Sequence, residues 1–344
     1  MGYCEVGTGF RMMSTCSDPC LDISVFVLSY RRPLYLREAV RSVLAQSRKP
    51  KSIVILDNGS GEDVKRAVAD FLEQGVSWEG SDVTRSAIWN IQRAFNNACN
   101  KYVYVMHDDD RLCSHFLETQ VEFLEEHSMA TAVACGAYTI DSDGNRIGRL
   151  AGMASNDGVY WFNSGADLAL LYSRRGFLTF PSIVYRTSSI RKVRIRSDFD
   201  KVADAVLLCE LADIGPIASR NTELLEYRLH PGQDSADFPD HVLWKLDAFL
   251  IQRGSSSPLL AEAIRRNICR FWTKRYLDKW VFDAKRKRSL GSAIDGLRLV
   301  GKPYFRWEVA VGYVVNRLRT RVHTGITTRG KPKEVVEQSM SVRA

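Results

Sequence analysis

Two short apolar runs, Ile23–Leu28 and Ser52–Leu56, bracket a segment in which Leu36, Ala39, Val40, Val43 and Leu44 recur at helical spacing. Unbroken aliphatic runs of that length read as buried strands, and the helical period between them makes the intervening segment a crossover. Pro33 suits the start of that helix, because its fixed φ is already helical and its missing N–H is not needed there. Strand, loop, helix, strand in this order implies a parallel βαβ unit. In such a sheet ligands are expected beyond the carboxyl ends of the strands. The residues to watch are therefore those that follow each strand: Tyr30 in the Ser29–Pro33 loop, and Asp57 at the head of the Asp57–Gly61 turn.

A helical segment over 90–100 leads into a third run, Tyr102–Met106, which ends in Asp108, Asp109 and Asp110. Three adjacent carboxylates repel one another unless a cation sits among them. Mg²⁺ typically takes about one or two protein carboxylates and fills its shell with water and phosphate oxygens, so the cluster suits a nucleotide diphosphate. The same acids also suit a turn capping the helix that begins near Ser114, since Asp is favourable at a helix N-terminus. The residues alone leave both readings open. Tyr30 is either a stacking platform for a base or a rim aromatic, and Asp57 either accepts from a base or ribose hydroxyl or belongs to a plain turn. Further on, helices are expected over 62–73 and 115–127, strands over 130–135 and 180–185, and a hairpin turn at Asp141–Gly144. Asp204 lies early in a helical segment over 198–212, between Val202, Ala203, Ala205 and Val206. A half-buried carboxylate there has a raised pKa and can act as a base, or it simply offsets the helix dipole. A loop over 229–235 presents His230.

Composition excludes some classes and divides the chain. With 344 residues, 45% hydrophobic and 26% charged, the chain has material for one large or two smaller domains. No run approaches the roughly 20 apolar residues of a membrane span, and the first residues lack the apolar core of a signal peptide. The 8 cysteines are scattered, which suits a reducing cytoplasm, and Cys16 and Cys20 lack the second pair that a zinc site needs. Residues 236–344 hold 22 Lys and Arg against 10 Asp and Glu, a net +12, leaving 26 against 30, or −4, for residues 1–235. Residues 241–325 read as mostly helical, with Ala261, Ile264, Ile268, Phe271, Trp272 and Trp280 as an apolar stripe flanked by Arg265, Arg266, Arg270, Lys274, Lys279 and 285–288. This region is either a helical extension packed on the catalytic domain with a solvated basic face, or a surface that rests on anionic lipid. No RNA- or DNA-binding motif is present, so a nucleic-acid partner is not expected.

Taken in order, these pieces resemble a family 2 glycosyltransferase with the GT-A fold. SVFVLSYRRPLYLREAVRSVLAQ is similar to that family's opening strand and helix, VILDNGS to its second strand, and YVYVMHDDD to the strand ending in an Asp-x-Asp motif. FPSIVYR, FDKVADAVLLCELADIG and YRLHPGQDS resemble its acceptor-side helix and closing loop. The resemblance implies an α/β, Rossmann-like, mostly parallel sheet flanked by helices over 22–235, preceded by a loose leader (1–21) and followed by the basic helical region (236–326) and a flexible tail (327–344). It implies an inverting transfer of sugar from a nucleotide-diphosphate sugar to a hydroxyl of a glycan or lipid-linked acceptor, in the cytoplasm or peripherally at the inner face of the membrane, serving surface polysaccharide or glycoconjugate synthesis. Carried over by position, Tyr30 contacts the base, and Asp57 and Asn58 bind base or ribose. Asn90 and Arg93 of the third segment lie on the donor side. Asp108 and Asp110 hold Mg²⁺ or Mn²⁺ with Asp109 between them on the donor, Asp204 is the general base, and His230 lies near the diphosphate or metal. The chain departs from the family at His107, Ala203 and Asn58, where acids are common, and at Gln92 and Phe95, in place of Gly and Arg. Two rivals are a catalytically silent module of the same fold and a nucleotidyltransferase. The latter should carry a Gly-rich loop after the first strand, whereas this chain has Ser29–Pro33 without glycine.

Overall fold

The computed structural model describes residues 20–150, 158–233, 238–287, 302, 304–306 and 308–311, with side chains through residue 279 and in the segments after 287. In chain order the elements are β1 (Leu21–Ser29), α1 (Pro33–Leu44), β2 (Pro50–Asp57), α2 (Glu62–Ala67), α3 (Ala69–Leu72), β3 (Ser77–Glu79), α4 (Ala87–Asn97), β4 (Tyr102–Met106), β5 (Arg111–Leu112) and α5 (Phe116–Glu126). They continue with β6 (Ala132–Ile140), β7 (Arg146–Arg149), β8 (Val159–Phe162), α6 (Gly165–Ser173), β9 (Val184–Arg186), α7 (Thr187–Ile190), α8 (Ala203–Ala212), β10 (Ile217–Arg228), α9 (Asp240–Arg253) and α10 (Pro258–Lys287).

One sheet runs through the molecule in the order β3-β2-β1-β4-β9-β6-β10-β5, with β7 and β8 added on β6 and β10. Its first four strands are mutually parallel, β9 is reversed, and β6 and β10 again run with the first four. The α/β fold expected from the βαβ pattern is therefore present, as a mixed sheet with mostly parallel strand directions. Both faces are covered, and strand alternation assigns the residues. Val25, Val27, Tyr102, Tyr104 and Met106 enter one core with α1 and α5. Phe26, Val103 and Val105 enter the other, with α4, α6, α8, α9 and α10. A strand buried on both faces has no polar side to alternate with, which is why Tyr102–Met106 reads as a continuous apolar run.

Several sequence boundaries shift. The helix expected over 62–73 breaks at Val68, and Phe180–Ser182 is a 3-10 turn, so that strand begins only at Val184. Pro181 cannot donate to a ladder, which explains the turn. The segment before Asp204 is likewise 3-10, over Ser197–Val202, and the α-helix starts at Ala203. The 141–144 turn is present, with Gly144 at φ 87 where a side chain is disfavoured. In the basic region, Ala261, Ile264, Ile268 and Trp272 are buried, the last three in the core shared with α6, α8 and α9, and Trp272 Nε1 donates to the buried Asp247 at 2.6 Å. Asp247 is also held by both terminal nitrogens of Arg175, at 2.9 and 2.8 Å. The apolar stripe thus faces inward. The leader expected over 1–21 is described only at residues 20 and 21, where Leu21 opens β1; the tail, the side chains of Trp280 and 285–287, and residue 288 lie outside the described residues.

Candidate active site

Register brings the loops together. Ser29 pairs with Asp57, Val27 with Met106, and Arg228 with Ile140, all in parallel ladders, so the segments following β1, β2, β4 and β10 leave the sheet at one edge. Tyr30, Asp57, the three acids and His230 all lie on these segments.

Asp108 and Asp110 are buried and Asp109 is half-buried, and Arg32 bridges two of the three. Asp108 accepts from the Tyr30 N–H at 2.9 Å and from Arg32 Nη1 at 3.1 Å. Arg32 Nη1 also reaches Asp109 Oδ2 at 2.9 Å, and its Nη2 donates to the Gly232 carbonyl at 2.6 Å. His230 Nε2 lies 3.0 Å from the same Asp109 oxygen, while its Nδ1 accepts the Gly232 N–H at 3.2 Å. Accepting at Nδ1 places the imidazole proton on Nε2, so His230 donates to Asp109. Asp110 Oδ1 takes the Arg228 N–H at 2.9 Å, whereas Asp110 Oδ2 is buried with no partner among the described residues.

Ligand atoms of His107, Asp109 and Asp110 lie within 4.8 Å of one another. The expected metal pair was Asp108 with Asp110; the atoms that lie together come instead from His107, Asp109 and Asp110, while the Asp108 oxygens accept from the Tyr30 N–H and Arg32. The donor set, one imidazole and two carboxylates around an orphaned buried oxygen, fits a divalent cation. Electrostatics agree. Burial and the neighbouring Asp109 charge push Asp108 up to about 7, and burial with the same charge raises Asp110 well above the carboxylate range. Burial also acts to raise Asp109, but His107, His230 and Arg32 outweigh it and hold that carboxyl low. Without added positive charge, three carboxylates cannot all be ionised here.

The donor-side residues fall into two groups. Tyr30 is 39% exposed, with the Arg31 guanidinium 5.0 Å from its ring centre, so it is an accessible aromatic at the site's edge. Asp57, Asn58 and Arg93 are bound by the chain itself. Asp57 takes the Ser29 hydroxyl and the Gly59 and Ser60 N–H groups at 3.1, 3.1 and 2.9 Å. Asn58 pairs with both the N–H and C=O of Arg85, at 2.9 and 2.8 Å, and Arg93 meets Glu79 at 2.9 Å. Asn90 donates to Leu56 O at 2.9 Å and keeps its buried Oδ1 unpartnered among the described residues.

Asp204 stands in the first turn of α8 and accepts the Ala205 N–H at 2.8 Å. Burial raises its carboxyl to about 6 against that hydrogen bond. Its charge is felt by the buried Tyr185, and ring contacts lead on from Tyr185 to Phe180 at 6.2 Å and from Phe180 to His107 at 5.9 Å.

Residues 24–194 match the family model for glycosyl transferase family 2. These residues form a family 2 glycosyltransferase domain. The match covers Tyr30 through the three acids and ends before Asp204 and His230. An uncharacterized glycosyltransferase of Haemophilus influenzae is 22% identical over 228 residues, covering 64% of this chain and 69% of that protein. One from Rickettsia conorii is 30% identical over 108 residues, and there the chain spans only 18% of its relative. Among solved structures, S. aureus TarS 1–349 aligns with TM-score 0.55 at 13% identity, over 81% of this chain and 78% of TarS. The same protein in complex with UDP-GlcNAc aligns at 0.57 with 14% identity, over 80% and 78%. At such identity the likeness is one of fold.

Arg32, Arg228 and His107 are the site residues that sequence reasoning misses or misplaces. Arg228 is 1% exposed and gives its N–H to Asp110, its Nε to Asp109 O at 2.7 Å and its Nη2 to Glu38 at 2.6 Å. One signal was available for Arg32: three adjacent acids demand a cation, and Arg31–Arg32 sit on the neighbouring strand's loop.

Proposed function

We propose that this protein transfers a sugar, with inversion, from a nucleotide-diphosphate sugar to a hydroxyl of a glycan or lipid-linked acceptor, in the cytoplasm and in the service of surface polysaccharide or glycoconjugate synthesis. Residues 22–235 act as the catalytic unit and 236–326 as a helical region packed on it. The observation that carries the reading is the convergence of His107, Asp109 and Asp110, with a buried Asp110 oxygen that has no partner among the described residues, at the carboxyl edge of a family 2 domain.

These three side chains would hold Mg²⁺ or Mn²⁺, which when bound offsets the charge of the donor's diphosphate. Tyr30 offers the base a stacking face. The Arg32 guanidinium and the His230 N–H, both already directed at Asp109, bind the site's anionic side and tie the 230–233 loop to it. Asp204, with a pKa of about 6, is mostly ionised at neutral pH and takes the acceptor proton on the oxygen not bonded to Ala205. The acceptor oxygen then bonds to the anomeric carbon from the face opposite the sugar–phosphate bond. That bond breaks, and the nucleoside diphosphate leaves with its electron pair.

The test is a panel of nucleotide sugars with Mn²⁺, read by thermal shift and then by transfer or slow hydrolysis of the stabilising donor. Stabilisation by one donor class together with turnover supports the reading. Stabilisation without any turnover marks a silent binding module, for which Ala203 and His107 are the sequence grounds, and no stabilisation by any donor refutes both.

A further inference from the structure

We infer that the outer stripe of α10 is a docking surface for an anionic membrane. Arg266, Arg270 and Lys274 follow one another at four-residue spacing and are all exposed, and Leu259, two turns earlier on the same side, is 86% exposed. The stripe from 259 to 274 is about 22 Å long at 1.5 Å per residue. Among the described residues none of these cations has an ion pair, and the acids one turn beyond the two ends of the row are the exposed Glu262 and the half-buried Asp278.

Like charges four apart on a helix oppose its formation. The packing of the other face holds this row in place. Ile264, Ile268 and Trp272 are buried in the catalytic core, and Asn267 donates to Ser173 Oγ at 3.0 Å. That anchoring fixes α10 as a rigid ridge with its cations outward. Because its apolar stripe is already used by the core, the contact is electrostatic adsorption with one apolar side chain at the end, and not burial of an amphipathic helix.

The alternative polyanion, a nucleic acid, is disfavoured by the lack of stacking groups. The exposed aromatics of the described residues are Tyr30, Trp89, Tyr160 and Trp161, none of them on α10. The inference stands apart from the sugar-transfer reading, since it uses no residue of the site.

The experiment is flotation of the full chain with vesicles of phosphatidylglycerol and phosphatidylcholine, against phosphatidylcholine alone, at low and high salt. Each cation contributes about fivefold in partitioning, so Arg266→Gln/Arg270→Gln/Lys274→Gln should weaken binding about a hundredfold. Arg270→Glu is the single-site check, and both variants should keep the wild-type thermal shift with nucleotide sugar. Binding by the wild type only to anionic vesicles, lost in high salt and in the variants, supports the inference. Absence of wild-type flotation, equal flotation on neutral vesicles or unchanged flotation of the triple variant overturns it. Tighter binding to polyuridylate than to vesicles, removed by the same substitutions, overturns it in favour of nucleic acid.

Discussion

Replacing Asp204 by Asn separates the residue's cost to the fold from its use in the reaction. Burial raises this carboxyl from 3.8 to about 6. At about 1.4 kcal/mol per pKa unit, the shift corresponds to at most about 3 kcal/mol of destabilisation by the ionised form. Because the side chain is only half-buried by accessibility, solvent screening reduces this to about 1–2 kcal/mol. A raised carboxyl pKa costs nothing below the unfolded value near 3.8; the cost grows as pH rises toward 6 and is complete above it. Asn can keep the Ala205 hydrogen bond with its carbonyl oxygen while carrying no charge. The variant should therefore be more stable than wild type by about 1–2 kcal/mol at pH 8, and equal to it at pH 3 if both remain folded there. Turnover should fall by about 10²–10⁴, the usual share of a positioned base, with donor affinity unchanged. Urea unfolding at the two pH values and initial-rate transfer assays measure both. A variant less stable at pH 8, or a gain of the same size at both pH values, refutes the burial argument. Wild-type turnover refutes the base assignment.

At the acid cluster, Asp110→Ala should abolish the dependence of nucleotide-diphosphate affinity on Mn²⁺, whereas Asp108→Asn should keep it. Calorimetry with and without Mn²⁺ distinguishes them, and loss of the dependence in both variants would restore the Asp108–Asp110 pair. Arg228→Met should destabilise the fold by about 3–5 kcal/mol, the usual cost of breaking a buried charged network. Its guanidinium spans the acid loop, the Asp141–Ser142 carbonyls and Glu38, so a urea midpoint close to wild type would show the network to be dispensable.

Strands β1, β2 and β4 of the sheet's first half were legible, because buried parallel strands and their crossover helices carry strong local periodicity, whereas the three-residue edge strand β3 was not. The second half was less so. Pro181 cut an expected strand short, and β10, over Ile217–Arg228, was not expected, since its pairing with β6, β8 and β5 is a tertiary matter. The site divides in the same way. That Tyr30, Asp57 and the acids sit at strand ends follows from sequence order alone. Which acids face one another does not. Local sequence sets the position of a carboxylate along the chain, but its direction and its protonation depend on partners far away. Arg32 and Arg228 turn Asp108 and Asp110 to different sides, and burial from both faces of the sheet raises their pKa values. The sequence by itself determined a βαβ frame ending in three acids and a basic carboxyl-terminal third. Only the tertiary structure decided that His107 joins Asp109 and Asp110, and that the basic helix turns its apolar side to the core and its cations to the surface.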